Sequence, residues 1–244
     1  MREIRVYAGH VPLLNDSVIV LSDEAAHHLL NVLRVRVGTP LTVFNGKGRE
    51  LNARLVRIDG KKPVVELHDT LERNCESPLK VELGQVISKG DRMEFILQKS
   101  VELGVSSITP LISERCVVRL NEQRMDKKVE SWQRIVISAC EQCGRNVVPE
   151  VREPLPLATW CSLHDPTVLS LTLDPGSSDT LNTLEVSTDR LRLLTGPEGG
   201  FSDAEVALTK AHGFATVRLG PRILRTETAP LVALSILGAR FGDL

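Results

Sequence analysis

The chain has 244 residues, 42% hydrophobic and 25% charged, a globular balance that excludes a disordered tail, a collagen-like fibre and a low-complexity segment. Thirty Lys and Arg stand against 31 Asp and Glu, so nucleic-acid contact must come from local patches and not from a global field. No apolar run exceeds four residues, far short of the roughly 18 a membrane span needs. The start Met1-Arg2-Glu3 lacks an apolar leader, and the cytoplasm is the expected compartment.

Residues 1–72 read as short strands around one helix. Residues 4–8 and 17–21 are rich in strand formers. Ser22 is placed to cap a helix through residue 33, with Asp23 and Glu24 at its positive end. Residues 41–44 and 50–58 flank the turn Asn45-Gly46-Lys47-Gly48 as a hairpin, and Asp59-Gly60 turns into a strand at 64–67. This pattern predicts a small β-barrel-like module. Residues 73–79 are polar and carry Pro78, which predicts a linker.

From residue 80 onward strands and helices alternate, which predicts a mostly parallel α/β sheet. Strands are expected at 81–87, 107–111, 168–173, 191–194 and 216–219. Asp91 is expected to cap a helix with Met93, Ile96, Leu97 and Val101 on its apolar face and Gly104 as its stop. A long helix is expected at about 125–143. Ser202-Asp203-Ala204-Glu205 is a capping box, and Gly213 closes that helix. The last helix is expected at 226–240, with Thr226 as its cap and Pro230 in its first turn.

The five cysteines are Cys75, Cys116, Cys140, Cys143 and Cys161, an odd number that favours reduced thiols. Cys140 and Cys143 have zinc-ligand spacing, but no second Cys or His pair follows, so they read as ordinary helix thiols and no metal is expected. His27 and His28 are adjacent and cannot form an i, i+4 metal pair on a helix. Eight aromatic residues are too few for a broad base-stacking platform.

Two connections carry the chemistry. In Leu193-Leu194-Thr195-Gly196-Pro197-Glu198-Gly199-Gly200-Phe201-Ser202 an apolar strand feeds a glycine loop and then a capped helix. Glycines let backbone N–H groups approach a ligand, and open α/β sheets bind ligands at the carboxyl ends of their strands. The loop is neither a Rossmann nor a Walker motif, and Glu198 favours a cationic or neutral ligand over a phosphate. Leu219-Gly220-Pro221-Arg222-Ile223-Leu224-Arg225-Thr226-Glu227-Thr228-Ala229-Pro230 also follows a strand and opens a helix.

Those two segments resemble the last two signature motifs of the SPOUT superfamily, and more narrowly the RsmE family of small-subunit ribosomal RNA methyltransferases that modify uridine N3. His27–Gly48 is similar to that family's PUA-like RNA-binding module, and Lys89–Val105, Pro110–Cys116 and Glu141–Arg145 to its central segments. Cys116 and Cys143 depart from the family's usual serine. The resemblance implies a PUA-like β-barrel over 1–72 and a SPOUT-type α/β domain with a deep trefoil knot over 80–244. It implies S-adenosylmethionine as cofactor, held by Leu171, Thr172, Leu173, Leu194, Thr195, Gly196, Glu198, Gly199, Gly200, Leu219, Gly220, Ile223, Leu224, Arg225, Thr226 and Thr228. It implies a homodimer acting on 16S rRNA in the small ribosomal subunit, late in assembly, with no membrane and no metal.

Catalysis is expected from Arg225, as a clamp on developing negative charge, and from Glu198, as base or as counter-ion to the donor. RNA contact is expected from His27, His28, Arg34, Arg36, Lys47, Lys89, Arg92, Lys99 and Arg115. Glu141 and Arg145 stand one helical turn apart and are expected to pair. Two alternatives stay open: a PUA-like assembly factor without catalysis, and a methyltransferase for tRNA or for a ribose 2′-OH.

Overall fold

The computed structural model describes residues 3–118, 122–163 and 165–244. The chain packs as two compact units, Met1–Glu76 with Cys140–Val148, and Ser77–Ala139 with Pro149–Leu244. Sequence placed 140–148 in the second half. The structure packs it with the first unit through Gly48 N–H to Asn146 O at 3.1 Å and Asn146 Nδ2 to Arg73 O at 3.0 Å.

The first unit is a mixed five-stranded sheet in the order β1 (Arg5–Tyr7), β3 (Pro40–Phe44), β4 (Glu50–Asp59), β5 (Lys62–Leu71), β2 (Val18–Val20). β1 and β3 are parallel and the other pairs antiparallel. Alternation along β4 turns Leu51, Ala53 and Leu55 inward onto Val6, Leu29, Val43 and Val65, and two register shifts between β4 and β5, one with its extra residue in each strand, bend the sheet over that core. Among the described residues β1 and β2 are the two edges, so the expected barrel is a curved open sheet in its ladder pattern.

Ser22 caps as expected, its Oγ accepting from Ala25 N–H at 3.2 Å. The helix it starts, α1 (Asp23–Ala26), then widens into a π-helical run His27–Val32, where Leu33 N–H reaches back five residues to His28 O. The α-helical spacing assumed for His27 and His28 therefore does not apply. Glu50 is fully buried and ion-paired with Arg5 at 2.8 Å and Arg73 at 3.1 Å. Arg145 takes Glu76 as a bidentate partner, and Glu141 accepts from Tyr7 N–H at 3.0 Å, so each of the expected pair has another partner.

The second unit holds a seven-stranded sheet, parallel in every pair, in the order β12 (Ala215–Val217), β10 (Leu169–Leu173), β11 (Arg190–Thr195), β6 (Lys80–Val86), β7 (Ser107–Ile112), β8 (Glu150–Val151). β9 (Leu155–Pro156) also pairs with β7. Helices α2 (Asp91–Glu102), α4 (Leu157–Ser162), α5 (Asp203–Ala211) and α6 (Thr228–Phe241) complete it, together with α3 (Glu122–Cys143) as far as Ala139.

Two expected helix starts shift. Gly90 occupies the cap position of α2 with φ 61° and no side-chain cap, and Asp91 is already helical. α6 begins at Thr228 because the Thr226 hydroxyl donates to Gly196 O at 2.8 Å instead of capping. The capping box of α5 forms in full.

Candidate active site

β10, β11 and β12 end side by side, and their carboxyl ends open into a cleft of about 500 Å³. One wall is the turn Leu173-Asp174-Pro175. The floor is the loop after β11, with Thr195, Gly196, Glu198 and Gly200. The third wall is the connection from β12 to α6, with Leu219, Gly220, Ile223, Leu224, Arg225, Thr226 and Glu227.

Gly200 and Gly220 stand at φ 66° and 117°, and an added Cβ at either would meet no atom within 4 Å. Backbone therefore lines open space there, where a side chain would sit in the left-handed region.

Four contacts brace these loops. The Thr226 hydroxyl joins the third wall to the floor at Gly196 O, with Ser88 Oγ 3.4 Å away. Arg115 Nη1 donates to Gly199 O at 2.9 Å, and Glu205, the capping-box acid, also accepts from Glu114 N–H at 2.8 Å. Arg92 of α2 reaches Glu198 at 2.8 Å, with its Nε 3.8 Å from Glu227.

At the cleft mouth Arg92 stands between two carboxylates, and the wider lining mixes Asp174, Glu198 and Glu227 with Arg218, Arg222 and Arg225. Burial pushes the Glu198 carboxyl up, but its own backbone N–H, the Arg92 guanidinium and Lys89 N–H more than offset that and hold it below the usual carboxylate range. Glu227 Oε2 is buried and accepts no hydrogen bond. Open glycine backbone with Glu198 in the same lining fits a cationic ligand with a flat, backbone-contacted body.

Of the residues expected to hold a cofactor, Leu173, Thr195, Gly196, Glu198, Gly200, Leu219, Gly220, Ile223, Leu224, Arg225 and Thr226 line this cleft. Leu171, Thr172 and Leu194 are buried inside the sheet, Gly199 packs on Arg115, and Thr228 begins α6; none of these five lines it. The Arg225 side chain is exposed and makes no hydrogen bond or ion pair among the described residues.

Sequence reasoning passed over Glu227 and Arg222, although both lie inside the segment it singled out. It also passed over Asp174, whose signal was the Asp-Pro-Gly turn after β10.

The expected RNA contacts divide. Arg92 and Arg115 are committed to the cleft loops, and Lys99 pairs with Glu102 at 2.8 Å. Lys89 lends its backbone N–H to Glu198 at 3.5 Å. In the first unit His27, Arg34, Arg36 and Lys47 are exposed and His28 is half-buried. Arg34 holds a left-handed φ of 53°, and Val32, Leu33 and Val37 beside it are exposed apolar side chains.

Cys140 is buried, which pushes its thiol up to about 12, and no disulfide links the five cysteines. Among the described residues no group of three or more His, Cys, Asp or Glu is arranged to hold a metal ion, and no helix is long and apolar enough to cross a membrane.

Comparison with known proteins follows the same division. An RNA methyltransferase domain family matches residues 75–238, and an RNA methyltransferase PUA domain family matches residues 21–67. Ribosomal RNA small subunit methyltransferase E of Buchnera aphidicola (Schizaphis graminum) is 40% identical, covering 98% of this chain and 97% of that protein. The Bacillus subtilis protein of the same name is 33% identical over 89% of this chain and 88% of its own. The crystal structure of ribosomal RNA small subunit methyltransferase E from Neisseria gonorrhoeae bound to S-adenosylmethionine superposes with a TM-score of 0.93 at 40% identity, covering all of both chains. Matched domain by domain and along nearly its whole length, the chain belongs to the ribosomal RNA small subunit methyltransferase E family.

Proposed function

We propose that the protein transfers a methyl group from S-adenosylmethionine to N3 of a uridine in 16S rRNA of the small ribosomal subunit, late in its assembly in the cytoplasm. The observation that carries the reading is the glycine-lined cleft at the ends of β10, β11 and β12, with Glu198 and Arg225 both in its lining. Its open backbone at Gly200 and Gly220 fits an adenosyl body, and Glu198 in the lining fits the donor's positive charge. When bound, S-adenosylmethionine supplies a methyl group already activated as a sulfonium substituent.

The rest falls to the chain's own residues. Glu198, held ionised by Arg92 and backbone N–H groups, is a weak base, so its role is counter-ion and not proton acceptor. Arg225 projects from the third wall with no side-chain partner among the described residues, free to lay its planar fork on the uridine. As the N3 proton passes to solvent water, negative charge spreads to O2 and O4, where guanidinium donors stabilise it. A paired Watson–Crick edge is unreachable, so the target uridine is unpaired or flipped out.

Three further assignments belong to this reading. Residues 1–72 are the PUA-like RNA module, with His27, His28, Arg34, Arg36 and Lys47 as its contacts, and 80–244 the catalytic domain. The catalytic domain is knotted: after β12, Arg218 N–H bonds Asp179 O at 2.8 Å and Leu181 N–H bonds Arg218 O at 3.2 Å, so the final segment pairs with the β10–β11 connection before running on to Gly196. The active form is a homodimer, supported by Ile223, 86% exposed on the cleft wall, and by half-buried Leu231, Val232 and Ile236 on α6.

The test is transfer in vitro. Small subunits from cells lacking the gene, incubated with the protein and labelled donor in EDTA, acquire label that maps to N3 of one uridine. Label on tRNA, on a ribose, or on nothing overturns the reading.

A further inference from the structure

A second cavity, of about 320 Å³, lies at the opposite, amino-terminal end of the same strands. β11 spans roughly 17 Å between the two, at ~3.3 Å per residue. Arg190 and Arg192, two apart on β11, share one face, and Arg152 follows β8.

The cavity is built around Arg192, which is only 4% exposed. Gly84, one residue after the next on β6, carries no side chain, and a Cβ there would stand 2.6 Å from the Trp160 ring. The ring occupies that space. The Arg192 guanidinium lies 3.8 Å over it and donates from Nη2 to Trp160 O at 2.7 Å.

The rest of the guanidinium is poorly served. Nη1 is buried without a partner, and Nε is 3.9 Å from Glu82 Oε2. The flanking arginines make only long ion pairs, Arg152 at 3.5 Å from Glu82 and 3.6 Å from Glu150, and Arg190 Nη1 at 3.7 Å from Asp165. Burial pushes the Arg192 pKa down, the sign of a cation short of compensation.

Most buried guanidinium donors have a hydrogen-bond partner, so the Nη1 of Arg192 is a candidate to receive one from a ligand. Three arginines and two carboxylates line the cavity, with Glu150 at its edge 3.6 Å from Arg152 Nε. A tetrahedral oxyanion accepts from several directions at once, which a planar carboxylate does not. We infer that this cavity, formed by Arg152, Arg190 and Arg192 over Trp160, binds a phosphate group, supplied by an RNA backbone or by a free phosphate. Neither the cofactor cleft nor the methyl-transfer reading is needed for it.

The experiment uses the full chain, with inorganic phosphate and a short single-stranded oligoribonucleotide as probes. Variants are Arg190→Gln and Arg152→Gln at the half-exposed rim, and Arg192→Lys, which keeps charge but loses the fork. Phosphate binding is followed by calorimetry and RNA binding by fluorescence anisotropy across a salt series. Unchanged S-adenosylmethionine affinity in each variant reports an intact fold.

The inference expects at least tenfold weaker binding of a probe in all three variants. If the RNA affinity falls and its salt slope flattens by about one unit per lost contact, the phosphate is the backbone's. If only inorganic phosphate binding falls, the ligand is a free phosphate. Failure of the native chain to bind either probe, or binding that the variants leave unchanged, overturns the inference.

Discussion

Thr226→Val removes one hydroxyl and keeps the side-chain shape. That hydroxyl is buried and donates to Gly196 O at 2.8 Å, joining two walls of the cofactor cleft. A neutral hydrogen bond contributes ~0.5–1.5 kcal/mol net, and stranding a partner adds up to ~1–3 kcal/mol. Gly196 is only half-buried, so its carbonyl regains some water, and the total falls at about 1.5–2.5 kcal/mol. The sheet beneath both loops is intact without this bond, so the loss falls on the cleft's readiness to bind. At ~1.4 kcal/mol per tenfold, cofactor affinity drops about 10- to 60-fold. Calorimetric titration with S-adenosylmethionine measures it, and ligand-free melting shows whether the fold has changed. Thr226→Ser keeps the hydroxyl and retains most of the affinity. A Thr226→Val protein that binds within twofold of the native one refutes the reasoning.

Arg225→Lys and Arg225→Ala each lower the single-turnover methyl-transfer rate by at least ~100-fold, about 2.7 kcal/mol, while cofactor affinity changes little; near-normal turnover in the alanine variant removes Arg225 from catalysis. The Glu198 carboxyl is held below its ordinary value, so its contribution is complete at neutral pH and is lost as pH falls through that lowered pKa. Arg92→Gln removes the cation, the carboxyl titrates higher, and the acid limb of cofactor binding moves to higher pH; coincident limbs contradict the pairing. Gly84→Ala drives a methyl group into the Trp160 ring and destabilises the second unit by about 2 kcal/mol, lowering Tm by about 4–8 °C, and an unchanged melt shows that the ring has room to move. Sedimentation at micromolar concentration gives twice the chain mass of 26.9 kDa, and a monomer there counts against the homodimer.

What the sequence disclosed follows the range of the forces involved. The α5 capping box is settled within four residues, and both of its hydrogen bonds form. The glycine loop and the β12–α6 connection were legible because strand ends and glycines are local signals. Contacts across the chain were not: Arg92 and Glu198 are 106 residues apart, and nothing in either segment announces that a presumed RNA contact anchors the cleft acid. Thr226 carried a local cap signal that the longer-range bond to Gly196 overrode. β8 and β9, of two residues each, and the short α4 are too brief for any periodicity to show. Arg192 stood inside an apolar run, and only the structure shows that Trp160 covers it.

The central claim concerns one base in one RNA. Mass mapping of 16S rRNA from a strain lacking this gene tests it most directly, with the native gene and an Arg225→Ala copy returned on plasmids. The account predicts that one N3-methyluridine disappears in the deletion, returns with the native gene, and stays absent with the variant. A complete set of N3-methyluridines in the deletion strain, or the loss of a modification at another atom, contradicts it.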